Sequence, residues 1–268
     1  MTAASGTASR PIDKDAARTW ITRWDIQQQD HMPEREERFT ALIDAVEAGV
    51  GREDPLVLDL GCGPGSLSVR LLERLPEATV VAIDADPLTL ALGRAAWADR
   101  PGLRFADADL REPGWSASLG LSRQPDAAVS TTALHWLSQP VLAAVYAEVA
   151  ALLRPGGLLL NGDHLAASDA EPRLARLGRA VLDMYIRRQQ PGGASESWEQ
   201  WWAAVAADPE LAALDIERKS RDVSSEHHGS PAGRLGVHVE ALRAAGFAEV
   251  GTLWQRGNNR LLCGVLRT

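Results

Sequence analysis

Lysine, cysteine and the phenyl-type aromatics are scarce in this 268-residue chain. Lysine occurs only at Lys14 and Lys219, so nearly all the positive charge is arginine, a bias that fits a GC-rich coding sequence better than a functional demand. Lysine and arginine together number 28 against 36 acidic residues, a net charge of −8. That balance argues against a nucleic-acid partner, whose phosphates are normally met by a basic face. The two cysteines, Cys62 and Cys263, make neither a disulfide framework nor a four-ligand zinc site, and they suit a reducing compartment. No run of about 18 apolar residues is present, so no membrane span is expected. The first fifteen residues lack the apolar core of a signal peptide. A cytoplasmic protein with no membrane or nucleic-acid partner is the resulting expectation.

Hydrophobic residues make up 45% of the chain, enough for a core of ordinary size. The aromatic set is skewed: nine tryptophans stand against three phenylalanines and two tyrosines. Residues 1–12 read as a disordered tail, and 13–268 as one domain. Helices are expected over 13–30 and, after Pro33, up to Gly49, forming an N-terminal cap of residues 13–50. Then a rhythm begins. Strand 56–60, helix 66–75, strand 79–84, helix 87–99, strands 103–106 and 127–130, helix 140–153 and strand 157–161 follow in turn. Short apolar strands alternating with amphipathic helices mean parallel strands joined by crossover helices.

From about 164 to 230 the pattern is helical, with "EPRLARLGRAVLDMYIRRQQ" and "SESWEQWWAAVAA" the clearest pieces. The chain closes with a helix at "RLGVHVEALRAAGF" and two strands, "AEVGTLWQ" and "RLLCGVL", around a turn. The expected fold is therefore α/β: a doubly wound mixed sheet of about seven strands ending in an antiparallel hairpin, with N-terminal helices and a helical lid insertion.

The most telling stretch is "LVLDLGCGPGSLSVRLLERL". A strand runs into Gly61, Gly63 and Gly65 and then into a helix. Such a loop offers free N–H groups at a helix start and lets a ligand approach the main chain. In the dinucleotide fingerprint the third glycine follows the second after three residues, not two. Asp59 at the loop mouth also suits an amine-bearing ligand better than a pyrophosphate.

Here the chain resembles the class I S-adenosylmethionine-dependent methyltransferases, over about two thirds of its length. "LDLGCGPG" matches their first motif with Asp59, Gly61, Cys62, Gly63 and Gly65 in place. In "VVAIDADP", the resemblance assigns Asp84 to the ribose hydroxyls, with Ala85 beside it. "FADADL" offers Asp107 and Ala108 for the adenine edge, with Asp109 a near competitor. "DAAVSTTALHWL" places Ser130 and Thr131 beside the methionyl part, and "LLRPGGLLL" is the family's approach to the fifth strand. The resemblance implies S-adenosyl-L-methionine as cofactor, and it implies that the glycines make room for its methionyl end. Cys62 reads as a small buried filler, since no base or cation marks it as a nucleophile.

The candidate catalytic residues are His135, after the fourth strand, and His164, ending the fifth. His227 and His228 in "SEHHGSP" are candidates for substrate contact. No spacing suits a metal, and no G-x-S-x-G elbow suggests a hydrolase. In related small-molecule methyltransferases the N-terminal helices and the segment after the fifth strand cover the active site. Trp20, Trp24, Trp136 and Tyr185 are therefore expected to line an aromatic substrate site, against the plainer reading that such rings only pack helices. Arg173, Arg176 and Arg179 fit an acidic substrate, but read first as a solvated helix face.

The expected function is methyl transfer to a small-molecule metabolite, at an oxygen, nitrogen or carbon, by in-line displacement. The main rival is other S-adenosylmethionine chemistry on the same fold, such as an intramolecular cyclisation that releases methylthioadenosine. A nicotinamide-dependent oxidoreductase and a cofactor-sensing module are weaker alternatives. The sequence leaves the oligomeric state open.

Overall fold

Strand β1 (Leu56–Leu60) is buried along its whole length, which requires cover on both faces of its sheet. The alternation of side chains along it shows what covers each face. Leu56, Leu58 and Leu60 enter one core with Leu142, Val145, Tyr146 and Val149 of α5 (Gln139–Leu152) and Leu242 of α9 (Leu235–Ala244). Val57 enters the other, with Phe39, Leu42 and Val46 of α2 (Arg35–Val50) and Leu67 and Leu71 of α3 (Ser66–Arg74). The computed structural model describes residues 12–167, 170–221 and 233–268.

The sheet has seven strands in the order β3 (Leu103–Asp107), β2 (Thr79–Asp84), β1, β4 (Ala127–Thr131), β5 (Leu158–His164), β7 (Asn259–Leu266), β6 (Phe247–Arg256). The first five in chain order pair in parallel, and β7 runs antiparallel to both β5 and β6. This is the mixed, doubly wound sheet with a terminal hairpin that the sequence rhythm implies. Strand order reverses between β1 and β4, and in open α/β sheets ligands bind at the carboxyl ends of the strands flanking that point. The glycine loop lies there. Strand β5 runs three residues beyond the expected end at Asn161, because Gly162, Asp163 and His164 find partners in Leu261, Arg260 and Asn259 of β7.

Two acidic caps set helix starts. Asp13 accepts from the N–H groups of Asp15 and Ala16 at the start of α1 (Lys14–His31), and Asp86 accepts from Leu88 and Thr89 at the start of α4 (Pro87–Ala96). The insertion after β5 folds as α6 (Pro172–Gln189), α7 (Trp198–Ala207) and α8 (Ala212–Ser220). Its parts rest on different neighbours. Trp201 and Val205 of α7 join Ala17 and Ile21 of α1 and Leu88, Leu92 and Ala96 of α4 in a third core. Helix α6 instead lies on the β6–β7 turn, where a Cβ at Gly257 would be 3.0 Å from Leu182. Among the described residues no helix is long and apolar enough to cross a membrane.

Candidate active site

The three loop glycines all take left-handed backbone, with φ of 69°, 53° and 89° at Gly61, Gly63 and Gly65, a region that L side chains enter only under strain. The N–H groups of Gly61 and Cys62 donate to the Ile83 carbonyl at 2.8 and 3.0 Å, and Trp97 Nε1 donates to the Pro64 carbonyl at 3.2 Å. These bonds tie the loop to β2 and to the end of α4. A Cβ at Gly61 would collide with that of Ala133, and one at Gly65 would sit 2.8 Å from Phe105 Cζ. Two of the glycines are thus required by the protein's own packing. Only at Gly63 is there room, where a Cβ would first meet Trp24 Cζ2 at 3.9 Å.

Asp59 shares the face of Val57 and so points at α3, where Ser68 Oγ donates to its Oδ2 at 2.6 Å. Its other oxygen, Oδ1, is buried with no partner in the protein. Burial pushes this carboxyl up to about 7, and the nearby Asp84 charge adds to the effect. Asp84, at the end of β2, accepts from the Gly63 N–H at 2.7 Å and the Asp86 N–H at 2.9 Å. Burial pushes it up to about 6. Cys62 is buried, and burial holds its thiol well above its ordinary range, which fits a filler.

Asp107 lies opposite Asp84 in the β2–β3 register. Both its oxygens accept from Arg221 Nη1, at 2.8 and 2.9 Å, and the same nitrogen donates to the Ala85 carbonyl at 3.3 Å. The Ala108 N–H donates to the Asp84 carbonyl at 3.0 Å, while Asp109 is engaged by Arg111. The group expected here fits this arrangement. A buried acceptor without a donor at Asp59 suits an amine, and two carboxylates at the ends of adjacent strands suit hydroxyl and amino edges.

At the other side of the switch point, Ser130 Oγ donates to the Leu60 carbonyl at 2.8 Å. Thr131 Oγ1 accepts from Arg38 Nη2 at 2.7 Å. Thr132 follows with φ of 50°, the only left-handed backbone outside glycine among the described residues. The chain then makes a short 3-10 turn, Leu134–Trp136, which carries His135. His135 Nδ1 lies 2.9 Å from each carboxylate oxygen of Asp163. Burial disfavours its imidazolium, but Asp163 outweighs burial and holds the pKa above its ordinary value. Asp163 is fully buried, yet the charge of and hydrogen bond to His135 keep it well below the carboxylate range.

Alternation along β5 separates the two candidate histidines. Asp163 shares the face of Leu159, toward α5 and α9, whereas His164 shares the face of Leu160, toward α2. His164 Nε2 lies 4.0 Å from Glu34 Oε1, and burial lowers its pKa. On the His164 face Arg38 crosses β5 at Gly162, where a Cβ would be 2.9 Å from its Cδ. Its guanidinium is fully buried and donates to Asn259 and Thr131, and burial brings its pKa down to about 10.

The tryptophans expected at the substrate site separate into two places. Trp20 meets Trp201 edge-on at 5.7 Å, and Trp24 meets Trp198, Trp201 and Trp202 at 5.2, 5.0 and 6.3 Å. These rings hold α7 onto α1, and Trp24 lies next to the glycine loop, 3.9 Å from a Cβ placed at Gly63. Trp136 stands apart, 39% exposed and 5.2 Å from the His135 ring. Tyr185 lies under the Arg256 guanidinium at 4.0 Å, on the hairpin side of α6. His227 and His228 lie outside the described residues. The sequence alone does not single out Asp163, Arg38 or Arg221. Asp163 had the clearest signal, an acid one residue before His164 at a strand end.

Residues 57–157 match a family model described as a methyltransferase domain. Trans-aconitate 2-methyltransferase of Methylobacterium radiotolerans is 34% identical over 157 residues, 59% of this chain and 49% of that protein. Malonyl-[acyl-carrier protein] O-methyltransferase of Halalkalibacterium halodurans is 27% identical over 123 residues, 46% of this chain and 44% of that protein. The matches thus span about half of each relative or less. In fold, human N-acetylserotonin methyltransferase, solved with its S-adenosylmethionine, aligns with 86% of this chain and 52% of its own, at a TM-score of 0.53 and 15% identity. Sheet order, glycine loop and these likenesses lead to one conclusion: residues 57–157 match a methyltransferase domain, set in the fold that the class I S-adenosylmethionine-dependent methyltransferases share.

Proposed function

We propose that the protein transfers a methyl group from S-adenosylmethionine to a carboxylate oxygen of a small organic acid. The observation that carries this reading is the His135–Asp163 pair at the carboxyl ends of β4 and β5, with the buried Arg38 beside it. S-adenosylmethionine, when bound, supplies a methyl group activated by its sulfonium. The chain's own residues then have three tasks.

First, Gly63, Asp59 and Asp84 hold the cofactor, with Asp107 and Ala108 at the adenine edge and Ser130 and Thr131 near its methionyl part. Asp59 Oδ1 takes the amine that it lacks in the protein alone. Second, the acceptor needs a partner for its charge. A carboxylate is already ionised at neutral pH and requires no base, so a cation is what the site must provide. Asp163 raises the His135 pKa and so favours the imidazolium for that purpose, and Trp136 offers an apolar face beside it. Third, water must be kept out, and α1 with the insertion forms the cover. The relatives support the substrate class, since trans-aconitate is itself a small polycarboxylate.

Incubation with S-adenosylmethionine and a panel of di- and tricarboxylic acids tests this. S-adenosylhomocysteine together with a base-labile methyl ester is the expected result. Methyl transfer only to hydroxyl or amine compounds contradicts the acceptor class. Methylthioadenosine as the product contradicts methyl transfer itself.

A further inference from the structure

Arg218 lies in the last turn of helix α8 and Arg221 caps its end; the first reaches Asp86, beside Asp84, and the second reaches Asp107. Arg218 is 8% exposed. Its Nε donates to Asp86 Oδ2 at 2.9 Å, its Nη1 lies 3.7 Å from Asp215, and its guanidinium carbon sits 3.5 Å from the centre of the Trp202 ring. Arg221, about a turn later, holds Asp107 and the Ala85 carbonyl. Asp86 is the junction. Its Oδ1 caps α4, its Oδ2 takes Arg218, and its N–H donates to Asp84 Oδ1. The other Asp84 oxygen takes the Gly63 N–H. An unbroken set of contacts therefore runs from Trp202 through Arg218, Asp86 and Asp84 to the glycine loop.

We infer that Arg218 is a positioning residue of the cofactor site, through which the insertion holds Asp84 and the glycine loop in their binding geometry. This rests on the reading that Asp84 takes the cofactor's ribose. The cap of α4 does not need Arg218, because Asp86 Oδ1 supplies it alone. The anchoring of α8 does not rest on it alone either, because Leu211 and Leu214 pack with the α1–α4–α7 core. What Arg218 adds is a tether from the insertion to the residue whose backbone N–H donates to Asp84. The two events are therefore reciprocal: docking of the insertion tightens cofactor binding, and bound cofactor tightens docking. The insertion is then part of the adenosine side of the site as well as a cover for the acceptor.

Calorimetric titration with S-adenosylhomocysteine tests this in the full chain, using Arg218→Met, Arg218→Lys, Asp86→Asn, the Arg218→Met/Asp86→Asn double variant and Asp84→Ala. Arg218→Met and Asp86→Asn should each raise Kd at least fivefold. The double variant should be no more than twofold weaker than the weaker single, because both act through one contact. Arg218→Lys should recover most of the loss, which a purely steric role would not allow. Wild-type affinity in Arg218→Met and Asp86→Asn, or losses that multiply in the double variant, would overturn the inference. Should Arg218→Met fail to fold, Asp86→Asn, which keeps the α4 cap, decides alone. Loss of binding in Asp84→Ala with none in the Arg218 and Asp86 variants sinks this inference and spares the ribose reading. A wild-type protein that does not bind S-adenosylhomocysteine removes both.

Discussion

His135 and Asp163 are 28 residues apart, yet they face each other across the ends of β4 and β5, with Nδ1 2.9 Å from both carboxylate oxygens. The Asp163 charge and hydrogen bond raise the imidazole pKa against the opposing effect of burial. If that imidazolium binds the acceptor, activity is full below the raised His135 pKa and falls as pH climbs through it. Asp163→Asn removes the charge that raises the pKa, so the falling limb should move to lower pH. A pH profile of kcat/KM on both proteins checks this. Activity that instead rises with pH would make His135 a general base for a hydroxyl acceptor.

Asp84→Ala removes the acceptor that Gly63 and Asp86 share, and with it the proposed ribose seat. Cofactor affinity should fall more than about tenfold, in line with the roughly 1.5–3 kcal/mol lost with a hydrogen bond to a charged group. Equilibrium binding of S-adenosylmethionine measures it, and unchanged affinity would remove Asp84 from the site.

The loop glycines should separate by what surrounds them. Gly63→Ala and Gly65→Ala both force a Cβ into left-handed backbone, at about 1–2 kcal/mol. Gly65→Ala also drives that Cβ into Phe105 and should cost about 1–3 kcal/mol more. Urea unfolding should therefore rank Gly65→Ala as the less stable. Gly63→Ala should keep the fold and lose cofactor affinity, because its open side is where the ligand approaches.

Asp59→Asn should trade function for stability. The folded-state pKa of Asp59 is raised to about 7, so its burial destabilises the protein increasingly as pH rises from its unfolded value of 3.8 through that point. An amide carries no such charge. Thermal melts should show the variant more stable than wild type at pH 8 and closer to it at pH 5, with weaker cofactor binding at both. Lower stability at pH 8 would mean that the buried carboxylate is compensated by the protein itself.

Much of this was legible in the sequence, because the sheet is written in local patterns. Strand β1, the glycine loop and α3 follow one another within 56–74, and the hairpin at the end of the chain is just as local. The sequence pattern ends β5 three residues short, since Gly162 and Asp163 look like turn residues until β7 pairs with them. The partner of His135 was hidden for the same reason. Asp163 becomes its neighbour only through the parallel pairing of β4 with β5, and no spacing along the chain announces that. The tryptophans were visible as an excess, but only packing shows that Trp20 and Trp24 meet the rings of α7 while Trp136 stands beside His135. Nothing in the local sequence marks Arg218 and Arg221, because their reach to Asp86 and Asp107 depends on how the insertion folds back.

The most direct test of the account is a reaction with S-adenosylmethionine carrying a CD3 group, trans-aconitate and related small acids, read by mass spectrometry of both products. The account predicts S-adenosylhomocysteine and an acid methyl ester bearing the intact CD3 group, in equal amounts, with far less of both from Asp84→Ala at a cofactor concentration that half-saturates wild type. Methylthioadenosine, or S-adenosylhomocysteine formation unchanged by any carboxylic acid, would contradict it.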